Sequence, residues 1–167
     1  MKYTTAILML GCAMAIPAYC HAQADSSQSD ELKACGTGAE VNYIADTDKS
    51  KHPTGVETAE KALIYVMRPT MIGNKVQTKL AVDGEWKGVN RGNNYFFFSL
   101  APGQHYFCSR AENKSVLVLR IDAGKTYYIQ QEIRMGIVKA RNELAVMSDD
   151  QGKEKLAKLN PSTWEIR

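Results

Sequence analysis

From Ala62 to about Ser148 the chain is a succession of short apolar runs, each ended by turn-forming residues, and this spacing restricts it to an all-β fold. ALIYVMR (Ala62 to Arg68) is apolar on both faces, as a central strand is, and Pro69 ends it. VQTKLAVD (Val76 to Asp83) alternates, placing Val76, Thr78, Leu80 and Val82 on one face. Asp83-Gly84 is a type I′ hairpin signal, because that turn needs positive φ at both central residues; EWKGV (Glu85 to Val89) returns from it. NNYFFFSLAPGQHYFCSR (93–110) supplies two strands around Ala101-Pro102-Gly103-Gln104. SVLVLRID (Ser115 to Asp122) precedes a turn at Ala123-Gly124-Lys125. TYYIQQEIRM (Thr126 to Met135) then alternates Tyr127, Ile129, Gln131 and Ile133 against its polar neighbours. After Gly136 a last strand carries Leu144 and Val146. Ser148-x-x-Gln151 is a capping box that opens a helix with Leu156 and Leu159 facing inward, and Asn160-Pro161 stops it. Seven or eight strands and one terminal helix predict a single antiparallel β-sandwich with a short C-terminal helix.

The N-terminus reads differently. Residues 1–24 hold Lys2, an apolar run from Ala6 to Ala18, and Ala22-Gln23-Ala24, the small-x-small pattern of signal-peptidase cleavage. The run is shorter than the roughly 20 residues that span a bilayer. The expectation is an exported protein, periplasmic or secreted, with no transmembrane span. The alternative is lipid anchoring at Met9-Leu10-Gly11-Cys12, a poor form of the lipoprotein box. The 167 residues less these 24 leave 143, enough for one domain with a core. The organisation expected is a signal peptide (1–24), a polar N-terminal arm (25–60), the sandwich (61–148) and a C-terminal helix and tail (149–167). Within the arm, Asp30 to Ala34 suggests a short turn and Val41 to Ile44 a short strand.

Lys2 leaves with the signal, so 21 Lys and Arg become 20 against 18 Asp and Glu. That near-balance, with scattered basic residues, argues against nucleic-acid binding. Cys12 and Cys20 leave too. Cys35 and Cys108 remain, and in an oxidising compartment one intramolecular disulfide is expected; free thiols or intermolecular bonds are the alternatives.

The chemistry-bearing residues are few. His52 lies in the polar arm and reads as a solvated loop residue. His105 starts a strand beside a Pro-Gly turn, where hydrogen-bonding the turn is the ordinary role. His105 and Cys108 are three apart and so project to opposite faces of a strand, which removes both a shared metal and a Cys–His nucleophile. Asp149-Asp150 suits a helix start, and Glu132 with Arg134 a solvated face. No Gly-x-Ser-x-Gly elbow or phosphate loop is present in the sequence. Neither catalytic residues, cofactor nor metal is expected.

What remains is the aromatic stretch. A hairpin turning at Pro102-Gly103 would set Phe98 opposite Phe107, Phe97 opposite Cys108 and Tyr95 opposite Arg110. Phe96, Phe98, Leu100 and Phe107 would then face the core, with Tyr95, Phe97, Tyr106 and Cys108 on the other face. A Cys35–Cys108 bond would draw the arm across Phe97. Otherwise Tyr95, Phe97 and Tyr106 form an open strip, the weak candidates for binding a glycan, a peptide or a lipid headgroup.

The run from ALIYVMRP through LAVDGEWKGVNRGNNYFFFSLAPGQHYFCSR to AGKTYYIQ resembles the bacterial family called domain of unknown function 2846. The likeness extends from Ala34 to Leu156. Ala34-Cys35-Gly36 with Cys108 looks like a subgroup carrying both cysteines. Asp83-Gly84, Gly88 and Leu100-x-Pro102-Gly103-x-His105 are more loosely similar to the PEGA-type repeat. The resemblance implies an immunoglobulin- or PEGA-like sandwich in a secreted or envelope protein, and carries over no catalytic residue. The function expected is a non-catalytic binding or structural module of the bacterial cell envelope, with an envelope protein, a glycan or a lipid headgroup as partner. The alternatives are a periplasmic hydrolase and a protein-partner or inhibitor domain.

Overall fold

A computed structural model of the chain describes residues 20–70, 73–135 and 140–167. The apolar run from Ala6 to Ala18, the Met9–Cys12 box and Gly136 lie outside the described residues. The elements are α1 (Cys20–Cys35), β1 (Tyr43–Thr47), β2 (Ala62–Arg68), β3 (Thr78–Val82), β4 (Glu85–Asn90) and β5 (Asn94–Leu100). They continue with β6 (Gly103–Arg110), β7 (Lys114–Ile121), β8 (Thr126–Met135), β9 (Ala140–Met147), α2 (Asp149–Leu156) and β10 (Asn160–Ile166). Two sheets pack as a sandwich, one ordered β1-β10-β5-β2-β8-β9 and the other β4-β3-β6-β7.

The expected all-β sandwich is therefore present, with ten strands among the described residues rather than seven or eight. Nor is it wholly antiparallel: β2 runs parallel to β8, and β10 parallel to β5. The strand alternation divides the core as pattern dictates. Ile64, Val66, Leu80, Val82, Phe96, Phe107 and Ile129 fill the space between the sheets. Thr78, Asn90, Ser109 and Gln131 make a polar layer at one end of that core. The Gln131 side-chain oxygen accepts from Asn90 Nδ2 (3.0 Å) and Thr78 Oγ1 (3.1 Å), and its amide donates to Ser109 Oγ (3.0 Å). Buried polar groups are tolerated because they pair.

Side chains stitch the two open flanks of the sandwich. On one flank Asn142 N–H donates to Asn113 Oδ1 (2.7 Å) and Leu144 N–H to Ser115 Oγ (3.0 Å), joining β9 to β7. On the other, Ser162 Oγ donates to Val89 O (2.6 Å), joining β10 to β4.

The Asp83-Gly84 turn has φ of 51° and 81°, as its sequence requires. It docks on α1. Gly84 N–H donates to Ala34 O (3.1 Å), and a Cβ on Gly36 would come within 2.8 Å of Gly84 O, so two backbones meet where side chains would not fit. Ser148 also caps α2, its Oγ accepting from Gln151 N–H at 3.4 Å. Leu156 and Leu159 are buried.

Three local expectations change. The region around Asp30 to Ala34 is the last part of a helix, not an isolated turn. Residues 160–166, read as the end of a helix and a tail, form β10, which pairs with β1 from Ser162 to Ile166. The hairpin at Pro102-Gly103 does not exist: β5 lies between β10 and β2 in one sheet, while β6 lies between β3 and β7 in the other. The Pro-Gly turn is a corner between sheets.

Candidate functional site

That corner dissolves the predicted aromatic strip. Phe96, Phe98, Leu100 and Phe107 do share one core, but they meet across the sandwich rather than along a hairpin. Tyr95 and Phe97 face the outer side of the six-stranded sheet, with Tyr65, Tyr128 and Leu156. Tyr106 and Cys108 face the outer side of the other sheet, with Ala34, Cys35 and Trp86. Tyr95, Phe97 and Tyr106 are therefore not neighbours, and no common binding strip joins them.

Each outer face has its own cover. Over the four-stranded sheet lies α1, bonded through Cys35–Cys108 as compartment and parity predict. Both cysteines are buried. Lys33 sits over the Tyr106 ring, 5.0 Å from its centroid, and Glu31 pairs with Lys114. Just beyond the helix, Glu40 pairs with Lys79 (2.7 Å) and Arg110 (3.1 Å).

Over the six-stranded sheet lie α2 and the segment 48–60, an extended strap. Tyr95 Oη donates to Pro53 O (2.7 Å), and Gly55 N–H donates to Tyr65 Oη (2.9 Å). A Cβ on Gly55 would meet Leu63 at 2.3 Å and Phe97 at 2.9 Å. Phe97 is thus covered by the N-terminal arm, but by its strap around Gly55 and not by the disulfide, which lies on the opposite side of the sandwich. The tyrosines pack on one another, Tyr65 stacking on Tyr128 with centroids 5.5 Å apart. Burial, with Tyr65 adding to it, pushes the Tyr95 phenol up to about 12.

Both histidines are held by contacts within the fold. His52 is exposed yet anchored, its Nε2 within 3.1 Å of Leu156 O and its ring 5.1 Å from that of Tyr95, so it is a strap anchor rather than a free loop residue. His105 holds the turns: Nδ1 meets Asp83 Oδ2 at 2.6 Å and Nε2 meets Ala101 O at 2.9 Å. Both ring nitrogens are thus taken up by the two turns that His105 joins. Asp149 and Asp150 lie in the first turn of α2, and Glu132 pairs with Arg134 at 3.2 Å. Among the described residues no group of three or more His, Cys, Asp or Glu side chains could hold a metal.

Sequence reasoning missed a groove of about 410 Å³ at one end of the sandwich. The end of β1 with Lys49, the loop carrying Asn74, the Arg91-Gly92-Asn93 turn and the start of β10 build it. Backbone bonds fix these pieces: Gly92 N–H to Asn74 O (3.4 Å), Asn93 N–H to Arg68 O (2.9 Å) and Asn160 N–H to Asn93 O (3.1 Å). Asn93 holds φ at 57°, uncommon for a residue with a Cβ. Beneath them Arg68 is fully buried and donates to Val76 O and Gly73 O. Burial, and secondarily the charge of Arg91, pull its guanidinium down to about 10. The only sequence signal was the Asn-Arg-Gly-Asn-Asn run (90–94), which reads simply as a turn.

An uncharacterized protein of Haemophilus influenzae is 25% identical over 130 residues, covering 77% of this chain and 76% of that protein. The NMR structure of a protein from Eubacterium rectale superposes with a TM-score of 0.40 at 13% identity, over 57% of this chain and 98% of that one. The PEGA likeness is not confirmed by these matches. The family model described as "Protein of unknown function (DUF2846)" matches residues 58–143, from just before β2 into β9, and that span is the frame of both sheets: the chain belongs to this family.

Proposed function

We propose that the chain is an exported, non-catalytic binding or supporting module of the bacterial cell envelope. The observation that carries this reading is the buried Cys35–Cys108 bond, which fixes α1 against β6 across 73 residues of sequence. A bond in that position is a structural part of the fold, and structural disulfides belong to oxidising compartments. The Ala22-Gln23-Ala24 site supports export, and processing there leaves α1 to begin at Asp25, still ending on Cys35. The engaged ring nitrogens of His105 support a role without catalysis.

Fractionation of cells expressing the full chain tests it, with intact mass measured before and after reduction. The expected product is periplasmic or secreted, processed after Ala24, and closed to alkylating reagents until reduced. Retention in the cytosol with Cys35 and Cys108 both alkylated in the native protein would sink the proposal.

A further inference from the structure

The end groove is lined by donors that the protein itself leaves unused. Neither the Lys49 ammonium nor the carboxamides of Asn74, Asn93 and Asn160 have a side-chain partner among the described residues. Arg91 spends one N–H on Ala45 O at 3.3 Å. The single acid on the wall, Asp46, is turned to its own chain, where its Oδ1 accepts from Thr47 N–H at 2.7 Å. Two cations against one carboxylate leave the groove lining with one net positive charge, and buried Arg68 lies behind it. The walls are pinned by the backbone bonds described above and by Thr47, whose hydroxyl pairs with the Asn94 carboxamide at 3.0–3.1 Å. A rigid groove with amide groups and cations, and without an aromatic wall, suits a hydroxylated ligand that carries an anion.

We infer that this groove binds an anionic saccharide, with Lys49 and Arg91 on the anion and the Asn74, Asn93 and Asn160 carboxamides on ring hydroxyls. The anion is a carboxylate or a phosphate on the sugar. The inference deepens the binding half of the proposed function and rests on it. Export is tested separately by fractionation, so failure of one does not mimic failure of the other.

The test is an amide-resolved NMR titration of the purified, disulfide-bonded protein with three probes. They are the disaccharide of N-acetylglucosamine and N-acetylmuramic acid, N-acetylglucosamine 1-phosphate, and neutral chitobiose. The first two separate a carboxylate source from a phosphate source. The expected result is saturable shifts at Thr47, Gly92 and Asn93 with at least one anionic probe, about tenfold tighter than with chitobiose. Lys49→Gln removes no side-chain hydrogen bond or ion pair among the described residues and should weaken the anionic probe alone; Arg91→Gln should do the same but also loses its contact with Ala45. Equal binding of chitobiose, shifts confined to another surface, no shift with either anionic probe, or unchanged affinity in Lys49→Gln would each overturn the inference.

Discussion

The two outer faces of the sandwich solve the same problem by different means. On the four-stranded sheet, α1 is fastened covalently, by one disulfide at its C-terminal end. Its other ties include the Glu31–Lys114 ion pair, the Lys33 cation over Tyr106 and the Gly84 N–H bond to Ala34 O. On the six-stranded sheet the strap 48–60 and α2 are held only by hydrogen bonds and packing, chiefly on the hydroxyls and rings of Tyr65, Tyr95 and Tyr128. The difference follows from what each cover brings. Among the described side chains of α1 the buried apolar contact is Ala34 and Cys35, a small area that the covalent bond reinforces. The strap instead lies on large aromatic rings, each worth roughly 2–3 kcal/mol by burial.

If that contrast is right, the largest loss comes from the covalent side. Replacing both Cys35 and Cys108 by Ser should cost about 4 kcal/mol in chemical denaturation. Hydrogen exchange should then show α1 opening while the strap amide of Gly55 stays protected; equal loss at both would break the comparison. Next is Gly152→Ala on α2. The added Cβ would lie 2.1 Å from Tyr128 Cγ, so α2 must lift at a cost of about 3 kcal/mol, leaving α1 untouched.

Tyr95→Phe removes the bond to Pro53 and should cost about 1 kcal/mol. It also carries a pH signature. The Tyr95 phenol is raised from 10.0 to about 12, so the folded state holds its proton more tightly than the unfolded state. That contribution is complete below pH 10.0 and is lost as pH rises towards about 12. Arg68 works in the opposite sense: it is lowered from its ordinary value to about 10, so its unfavourable burial is relieved as pH rises above about 10, offsetting part of the Tyr95 loss. The alkaline fall in stability, followed by urea melts, should therefore be shallower in Tyr95→Phe than in the parent. The smallest effect is Lys33→Gln, about 0.5 kcal/mol through the lost cation–π contact, with no change in the strap.

Local rules were legible wherever one residue type was required. Asp83-Gly84 had to be a turn because both positions take positive φ, and Ser148 had to cap a helix. Alternation correctly divided Phe96 and Phe98 from Phe97 and placed Ile129 and Gln131 inward. Pairing was not legible. Pro102-Gly103 looks the same whether the chain doubles back or crosses to the facing sheet, since the turn fixes local dihedrals and the partner is chosen by packing far away. β10 hid behind Pro161, which ordinarily argues against a strand. Here β10 meets β5 only at Asn160 and Pro161 and takes its main pairing from β1. The groove was illegible for a related reason. Lys49, Asn74, Arg91 and Asn160 are scattered along the chain and come together only once both sheets have formed.

The bonds along the flanks of the sandwich also bear on how this protein meets other chains. On three of the four edge strands, some backbone groups that could recruit a foreign strand already have partners. Asn113 takes the Asn142 N–H of β9, Ser162 takes the Val89 carbonyl of β4, and Arg91 takes the Ala45 carbonyl of β1. A stray strand adding across one of these positions would have to break that bond before making its own, which disfavours edge-to-edge pairing there.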